Sequence, residues 1–276
     1  MITAYHRPQS LDQALELLSH PNTFPLGGGT LLSHPSTSLR AGSKADSVEV
    51  VDLQALGLNS LKKSGNGLEI GATVTLQQLF EDADCPDALK PALKLEAPLN
   101  LRNAATVAGT IVVCDGRSTF AAALLALDAK LEQAIFDNSR VEYRISNLGD
   151  FLPLRSKNLI TKIVLPLNVK FAFEYVARTP ADKPLVCVAL AQWPSGRTRL
   201  AVGGYGKAPM LAMDGPHPFP SPSGRGTEGE GIEAAARNAF HEATDGWASA
   251  EYRQDVAATL AERCAIYISL AYPGGV

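Results

Sequence analysis

The hydrophobic and polar positions divide the chain into short elements of mixed type. Ser10 followed by Leu11, Ala14, Leu15, Leu17 and Leu18 has helical spacing, with Ser10 as N-cap and Gln13 three residues on. Phe24 to Leu26 and Val48 to Leu53 read as strands, and the polar stretch His34 to Asp46 as a loop. Leu61 to Lys63 and Leu68 to Ile70 flank Ser64-Gly65-Asn66-Gly67, a hairpin signal. Thr75 caps a helix over Leu76 to Phe80, and Pro86 to Leu95 is expected to be helical. Phe120 to Leu127 is apolar all round, which predicts a buried helix. Lys130 to Phe136 and Arg140 to Ile145 predict a strand pair, and Leu159 to Leu165 a further strand ended by Pro166.

A second unit is expected from about residue 168. Phe171 to Arg178, Leu185 to Trp193 and Arg197 to Gly203 predict three strands whose short turns imply antiparallel pairing. Asp214 to Gly231, rich in Gly, Pro and Ser, predicts a dispensable loop. Ile232 to Ala243 and Tyr252 to Leu270 predict helices. This order lacks the regular βαβ repeat of a doubly wound sheet, so the fold class is α+β. The expected domains are 1–168 and 169–276.

Composition narrows the function. The 276 residues are 46% hydrophobic, enough for one large core or two modest ones. A net charge of −3 provides no basic field for nucleic acid. No run approaches the roughly 20 apolar residues of a membrane span. The N-terminus lacks a basic-then-apolar leader pattern, so a cytoplasmic location is expected. Cys85, Cys114, Cys187 and Cys264 form no CxxC pair, and the histidines show no ligand spacing, so no metal site is expected.

Two motifs carry the candidate chemistry. The first is Pro25-Leu26-Gly27-Gly28-Gly29-Thr30-Leu31-Leu32, and the second is Leu101-Arg102-Asn103-Ala104-Ala105-Thr106-Val107-Ala108-Gly109-Thr110. Glycine lets backbone N–H groups approach an anion closely, and two such turns suit a diphosphate. Either could equally be an ordinary tight turn. Neither has the GxGxxG spacing or downstream acid of a Rossmann site. Gly203-Gly204-Tyr205-Gly206 could be a third ligand loop or simply a strand end.

These motifs resemble, in order and over nearly the whole chain, the FAD-binding (medium) subunit of molybdenum hydroxylases, the carbon monoxide dehydrogenase and xanthine dehydrogenase flavin family. The resemblance rests on Tyr5-His6-Arg7-Pro8, Gly27 to Leu32, Val51-Asp52-Leu53, Ile70 to Thr75, Arg102-Asn103, Thr106 to Thr110 and Leu124 to Ala129. Ala177 to Asp182 and Ala248 to Arg253 extend it to the C-terminal part. It implies a two-lobed FAD domain of the vanillyl-alcohol-oxidase type, then a small domain with a three-stranded antiparallel sheet and helices. It also implies FAD contacts at Leu26, Gly27, Gly28, Gly29, Thr30, Leu31, Arg102, Asn103, Thr106, Ala108, Gly109, Thr110, Asp115, Thr119 and Ile160.

The chain departs from the family pattern at several of these positions. The family has Asp where Leu31 stands, and Gly-Gly-Asn where Ala108-Gly109-Thr110 stands. It has a cofactor-reaching Asp where Thr119 stands, and a lysine roughly where Glu174 stands. Asp115 or Arg117 could compensate. The implied role is electron transfer, without a catalytic acid, base or nucleophile on this chain. Electrons would pass from an iron–sulfur (small) subunit fed by a molybdopterin (large) subunit to an external acceptor such as NAD or a quinone. Two rival readings remain: a subunit that has lost FAD and serves as a scaffold, and a free-standing flavoprotein oxidoreductase.

Overall fold

The computed structural model describes residues 2–31, 48–137, 140–156, 158–216 and 229–271. The chain opens with β1 (Ile2–His6), α1 (Leu11–Leu18), β2 (Thr23–Leu26), β3 (Val48–Asp52), β4 (Leu61–Ser64) and β5 (Gly67–Gly71). Then come α2 (Leu76–Glu81), α3 (Lys90–Glu96), α4 (Leu99–Arg102), α5 (Val107–Val113), α6 (Thr119–Ala126), β6 (Lys130–Asp137), β7 (Arg140–Asn147), α7 (Leu148–Leu154) and β8 (Leu159–Pro166). The last part holds β9 (Lys170–Val176), β10 (Val186–Gln192), β11 (Arg197–Gly203), β12 (Met210–Pro216), α8 (Gly229–Asn238) and α9 (Ala250–Ala271).

These elements form two compact units. The first comprises Met1–Asp84, Leu99–Val113 and Lys130–Val164, and the second Cys85–Pro98, Cys114–Ala129 and Leu165–Val276.

The first unit holds two sheets. One has the order β1-β3-β2 with all pairs parallel, and the other the order β4-β5-β8-β6-β7. Parallel pairing suits β3, whose Val48, Val50, Val51 and Asp52 are all buried. Helix α1 starts where expected: the Ser10 hydroxyl accepts from Gln13 N. It buries Ala14 and Leu15 in a cluster with Val51, Leu53, Ala134 and Leu159. The β4–β5 hairpin turns as the sequence predicts, Ser64 opposite Gly67, with Gly65 left-handed at φ 56°. Thr75 caps α2 in a reciprocal capping box with Gln78.

The second unit is built on an antiparallel sheet of order β12-β11-β10-β9. The three expected strands are there, and Met210–Pro216 joins them as a fourth. Val186, Val188, Leu190, Leu200 and Val202 of the sheet pack on Ile232, Phe240, Ala257, Leu260, Cys264 and Ile268 of the helical segments. Helix α6 is buried at every position, as its all-round apolarity requires.

The expected loop over Asp214 to Gly231 needs correction at both ends. Asp214 lies in β12 and accepts hydrogen bonds from Arg197 and Arg199, and Gly229 already belongs to α8. Residues 217–228 between them lie outside the described residues, as does the predicted loop His34 to Asp46.

Candidate cofactor-binding site

In the first unit the two glycine motifs, distant in sequence, are pressed together. A Cβ on Gly28 would stand 1.7 Å from the carbonyl oxygen of Ala104 and 3.2 Å from Cα of Ala105. No side chain fits that gap, so glycine is required here by close backbone approach. A Cβ on Gly27 would stand 2.7 Å from Thr106 Oγ1, and one on Gly109 2.8 Å from the same oxygen. The buried Thr106 hydroxyl is therefore the point on which both motifs close. Gly29 is left-handed at φ 67°, which turns the chain away from β2 after Leu26.

The first motif is held at its base. Leu53 N donates to Leu26 O at 3.1 Å, and Gln54 Nε2 donates to Gly27 O at 3.1 Å. Asp52 steadies that corner: its carboxylate accepts from Gln54 N at 2.9 Å and from the Tyr5 hydroxyl at 2.5 Å. The Tyr5 and Asp52 sequence segments thus meet directly. The N–H groups of Gly27, Gly28, Gly29 and Thr30 make no hydrogen bond to any described residue. They form a run of open donors on a half-buried loop, the arrangement that suits an anion.

The second motif differs from its sequence reading as an open turn. It is the end of α4, a short link and the start of α5. Thr106 occupies the N-cap position: its hydroxyl accepts from Gly109 N at 3.2 Å, and its carbonyl accepts from Thr110 N at 2.9 Å. Val107 N donates to Val74 O at 2.9 Å, and Ala108 N to Ala72 O at 3.4 Å. Leu76 N donates to Ala105 O at 2.9 Å. Val107 N and Ala108 N are thus committed to carbonyls of the segment Ala72 to Val74, while Thr106 N donates to no described residue. Gly109 N, on its long contact to Thr106, is a further donor there that a ligand could share.

The remaining expected contacts fall in both units. Arg102 Nε donates to Gln77 Oε1 at 2.9 Å, and its guanidinium lies over Phe80. Asn103 is exposed, and Leu31 is 48% exposed. Ile160 is buried in β8, opposite Gln133. Asp115 and Thr119 belong to the second unit. Asp115 pairs with Lys183 at 3.3 Å and accepts from Arg117 N. The Arg117 guanidinium is taken up by the carbonyls of Pro184 and Lys183 and by Trp247, 4.9 Å away.

Thr119 is buried, with its hydroxyl donating to Ala92 O at 2.7 Å. Beside it lies a carboxylate that sequence reasoning did not single out. Glu96 Oε2 accepts from Ser118 Oγ at 2.8 Å and from Phe120 N at 2.9 Å, closing the start of α6. Desolvation holds this carboxyl above its ordinary pKa range, against the pull of those donors and of Lys183. The third glycine segment is a pinned strand end. Gly204 N donates to Gly116 O at 2.6 Å, and Gly116 N donates to Gly206 O at 3.0 Å.

Sequence reasoning also missed Gln54, and the parts played by Ala72, Val74 and Ala104 within segments it had singled out. All four act through backbone contact or a single amide, which leaves no residue-type signal. Among the described residues no helix is long and apolar enough to cross a membrane. Nor do three or more His, Cys, Asp or Glu side chains gather as a metal set among them.

Comparison with known proteins bears on this geometry. Residues 1–168 match the family model described as the FAD binding domain in molybdopterin dehydrogenase. The chain is 27% identical over 263 residues to the Escherichia coli protein YgfM, covering 94% of each. It is 31% identical over 225 residues to the glyceraldehyde dehydrogenase medium chain of Sulfolobus acidocaldarius, covering 76% of this chain and 78% of that one. Among solved structures, reconstituted CO dehydrogenase from Oligotropha carboxidovorans superposes with a TM-score of 0.79 at 22% identity, over 98% of each chain. That likeness shows the fold.

Proposed function

The chain belongs to the family of FAD-binding domains in molybdopterin dehydrogenases, and on that footing we propose that it is an electron-transfer subunit of such an enzyme. The family's cofactor is FAD. The observation that carries the reading is the run of open N–H groups from Gly27 to Thr30, held in shape by the contact of Gly28 with Ala104. A diphosphate needs such donors, and hydrogen bonds to a charged group contribute roughly 1.5–3 kcal/mol each. The residues present fit the group.

In this reading Gly27, Gly28, Gly29 and Thr30 bind the diphosphate, and Gly109 N shares its donor with it. Thr106, Ala108 and Thr110 keep the second motif in register behind the first. Leu26 and Leu31 bound the loop. Arg102 orients α4 through Gln77, and Asn103 offers its exposed amide. FAD, when bound, supplies a two-electron store between one-electron and two-electron partners. The chain's own part is to hold and orient it. The partners are an iron–sulfur subunit and a molybdopterin subunit, with NAD or a quinone as external acceptor. The glyceraldehyde dehydrogenase medium chain supports the subunit reading by its name and identity.

Absorbance of the purified chain after incubation with excess FAD and desalting tests the cofactor. About one FAD per chain is expected. A colourless protein would replace this reading with the scaffold, for which Leu31 and the buried Thr119 speak. Co-purification with the two partner subunits from the native host tests the assembly. A lone chain that turns over a reduced substrate with an electron acceptor would overturn it.

A further inference from the structure

Among the described residues strand β7 is the outermost strand of its sheet, so one edge carries backbone N–H and C=O groups with no described strand beside them. It reads Arg-Val-Glu-Tyr-Arg-Ile-Ser-Asn from Arg140 to Asn147. Alternation puts Val141, Tyr143 and Ile145 on one face, and Glu142 and Arg144 on the other. Val141 packs against the α1 cluster, but Tyr143 is 61% and Ile145 69% exposed. On the inner side, the β6 residues opposite Glu142 and Arg144 are Ile135 and Gln133, which offer no charge. Neither charged residue makes an ion pair to any described residue. Natural edge strands are usually blunted by charged side chains, proline or a bulge. This one has no proline, its register with β6 is unbroken, and its charges, Arg140, Glu142 and Arg144, are of both signs.

We propose that β7 pairs antiparallel with β7 of a second copy of this chain, about a two-fold axis passing Tyr143. In that register Glu142 faces Arg144 of the second copy, and Arg144 faces its Glu142. Val141 faces Ile145 on the apolar side, and the two Tyr143 rings meet at the axis. Directly opposed residues share a face, so apolar meets apolar and charge meets opposite charge. Sliding the strands by one pair in either direction sets Glu142 against Glu142 or Arg144 against Arg144, which like-charge repulsion disfavours. Of the registers that overlap most of the strand, this is the self-complementary one. An isologous contact of this kind closes after two copies.

The experiment is sedimentation velocity of the full chain over a range of concentrations. It compares the wild type, Arg144→Glu, Glu142→Arg, an equimolar mixture of the two variants, and the double variant Glu142→Arg/Arg144→Glu. The wild type is expected to dimerise. Each single variant should associate at least about tenfold more weakly, because both cross-strand pairs become like-charged. The mixture should dimerise again, since one strand is then doubly basic and the other doubly acidic, and the double variant should self-associate. Circular dichroism and flavin content should be the same throughout, because these side chains are exposed and lie outside the cofactor loops. A wild type that stays monomeric overturns the proposal. So does a dimer that the single variants leave unchanged, or single variants that mixing does not rescue. Loss of FAD with the dimer intact would count against the cofactor reading alone.

Discussion

The two glycine motifs look alike as sequence and differ as structure. The first is an open loop whose successive N–H groups have no partner among the described residues. In the second the amides of Val107 to Thr110 are taken by Val74, Ala72 and Thr106. Glycine also serves a different purpose in each. Gly28 is glycine because Ala104 leaves no space for a Cβ, whereas Gly109 sits in the first turn of α5, where the cap oxygen of Thr106 limits the room. The difference teaches that a glycine run does not by itself mark a ligand loop. What marks it is whether the donors it uncovers are already in use. On that criterion the first motif is the one we propose to face the diphosphate, and the second is the surface against which it is set.

The strongest blow to this contrast is Gly28→Val. Its Cβ would meet Ala104 O at 1.7 Å, so the motifs would have to part. A loss of about 3 kcal/mol in unfolding free energy is expected, together with loss of flavin. The melting curve and the flavin absorbance should therefore fall together; a folded variant of normal stability would mean that the contact is not tight.

Glu96 extends the contrast to the second unit, where Thr119 is buried beside it. Glu96→Ala should cost about 2 kcal/mol in urea unfolding, since the Ser118 hydroxyl and Phe120 N lose their acceptor. Glu96→Gln keeps an acceptor and should cost less. Its effect should depend on pH. The folded-state pKa of Glu96 is raised, so the folded chain keeps a proton that the unfolded chain releases. That contribution to stability is fully present below the unfolded carboxylate value of about 4.3. It is lost as pH rises through the raised folded value, and Glu96→Gln should flatten this part of the stability profile. An unchanged profile would place the carboxylate in water.

Thr106→Ala removes the cap of α5 and should cost about 1 kcal/mol, with Thr106→Ser recovering most of it. If flavin binding survived Thr106→Ala untouched, the second motif would not support the first. Leu31→Asp restores the family's residue at an exposed position and should shift stability by less than about 0.5 kcal/mol. Flavin affinity should change less than tenfold. A large gain would show that residue 31, rather than the loop amides, limits binding.

Local chemistry made much of the fold legible. Ser10 and Thr75 cap helices, Gly65 turns a hairpin, and the all-apolar run after Ser118 is a buried helix. Elements whose identity depends on distant partners were not legible. β1 is a short strand that exists through parallel pairing with β3. α5, Val-Ala-Gly-Thr-Ile-Val-Val, is made of residues that favour strands, and the hydrogen bonds of its link to Ala72 and Val74 override that preference. α4 and α7 also went unforeseen. The fourth strand of the C-terminal sheet was hidden by its ending in Asp214-Gly215-Pro216, a turn signal. At the site, the sequence pointed to both glycine motifs but could not say which had free donors. That depends on Thr106 and on the carbonyls of a segment thirty residues earlier.

Amide hydrogen exchange with and without FAD tests the central claim most directly. In the free chain, the amides of Gly27 to Thr30 should exchange quickly and those of Val107 to Thr110 slowly. Saturating FAD should slow the first group strongly and leave the second close to its initial rate. First-motif amides that exchange as fast with FAD as without it, or new protection confined to Val107 to Thr110, would contradict the account.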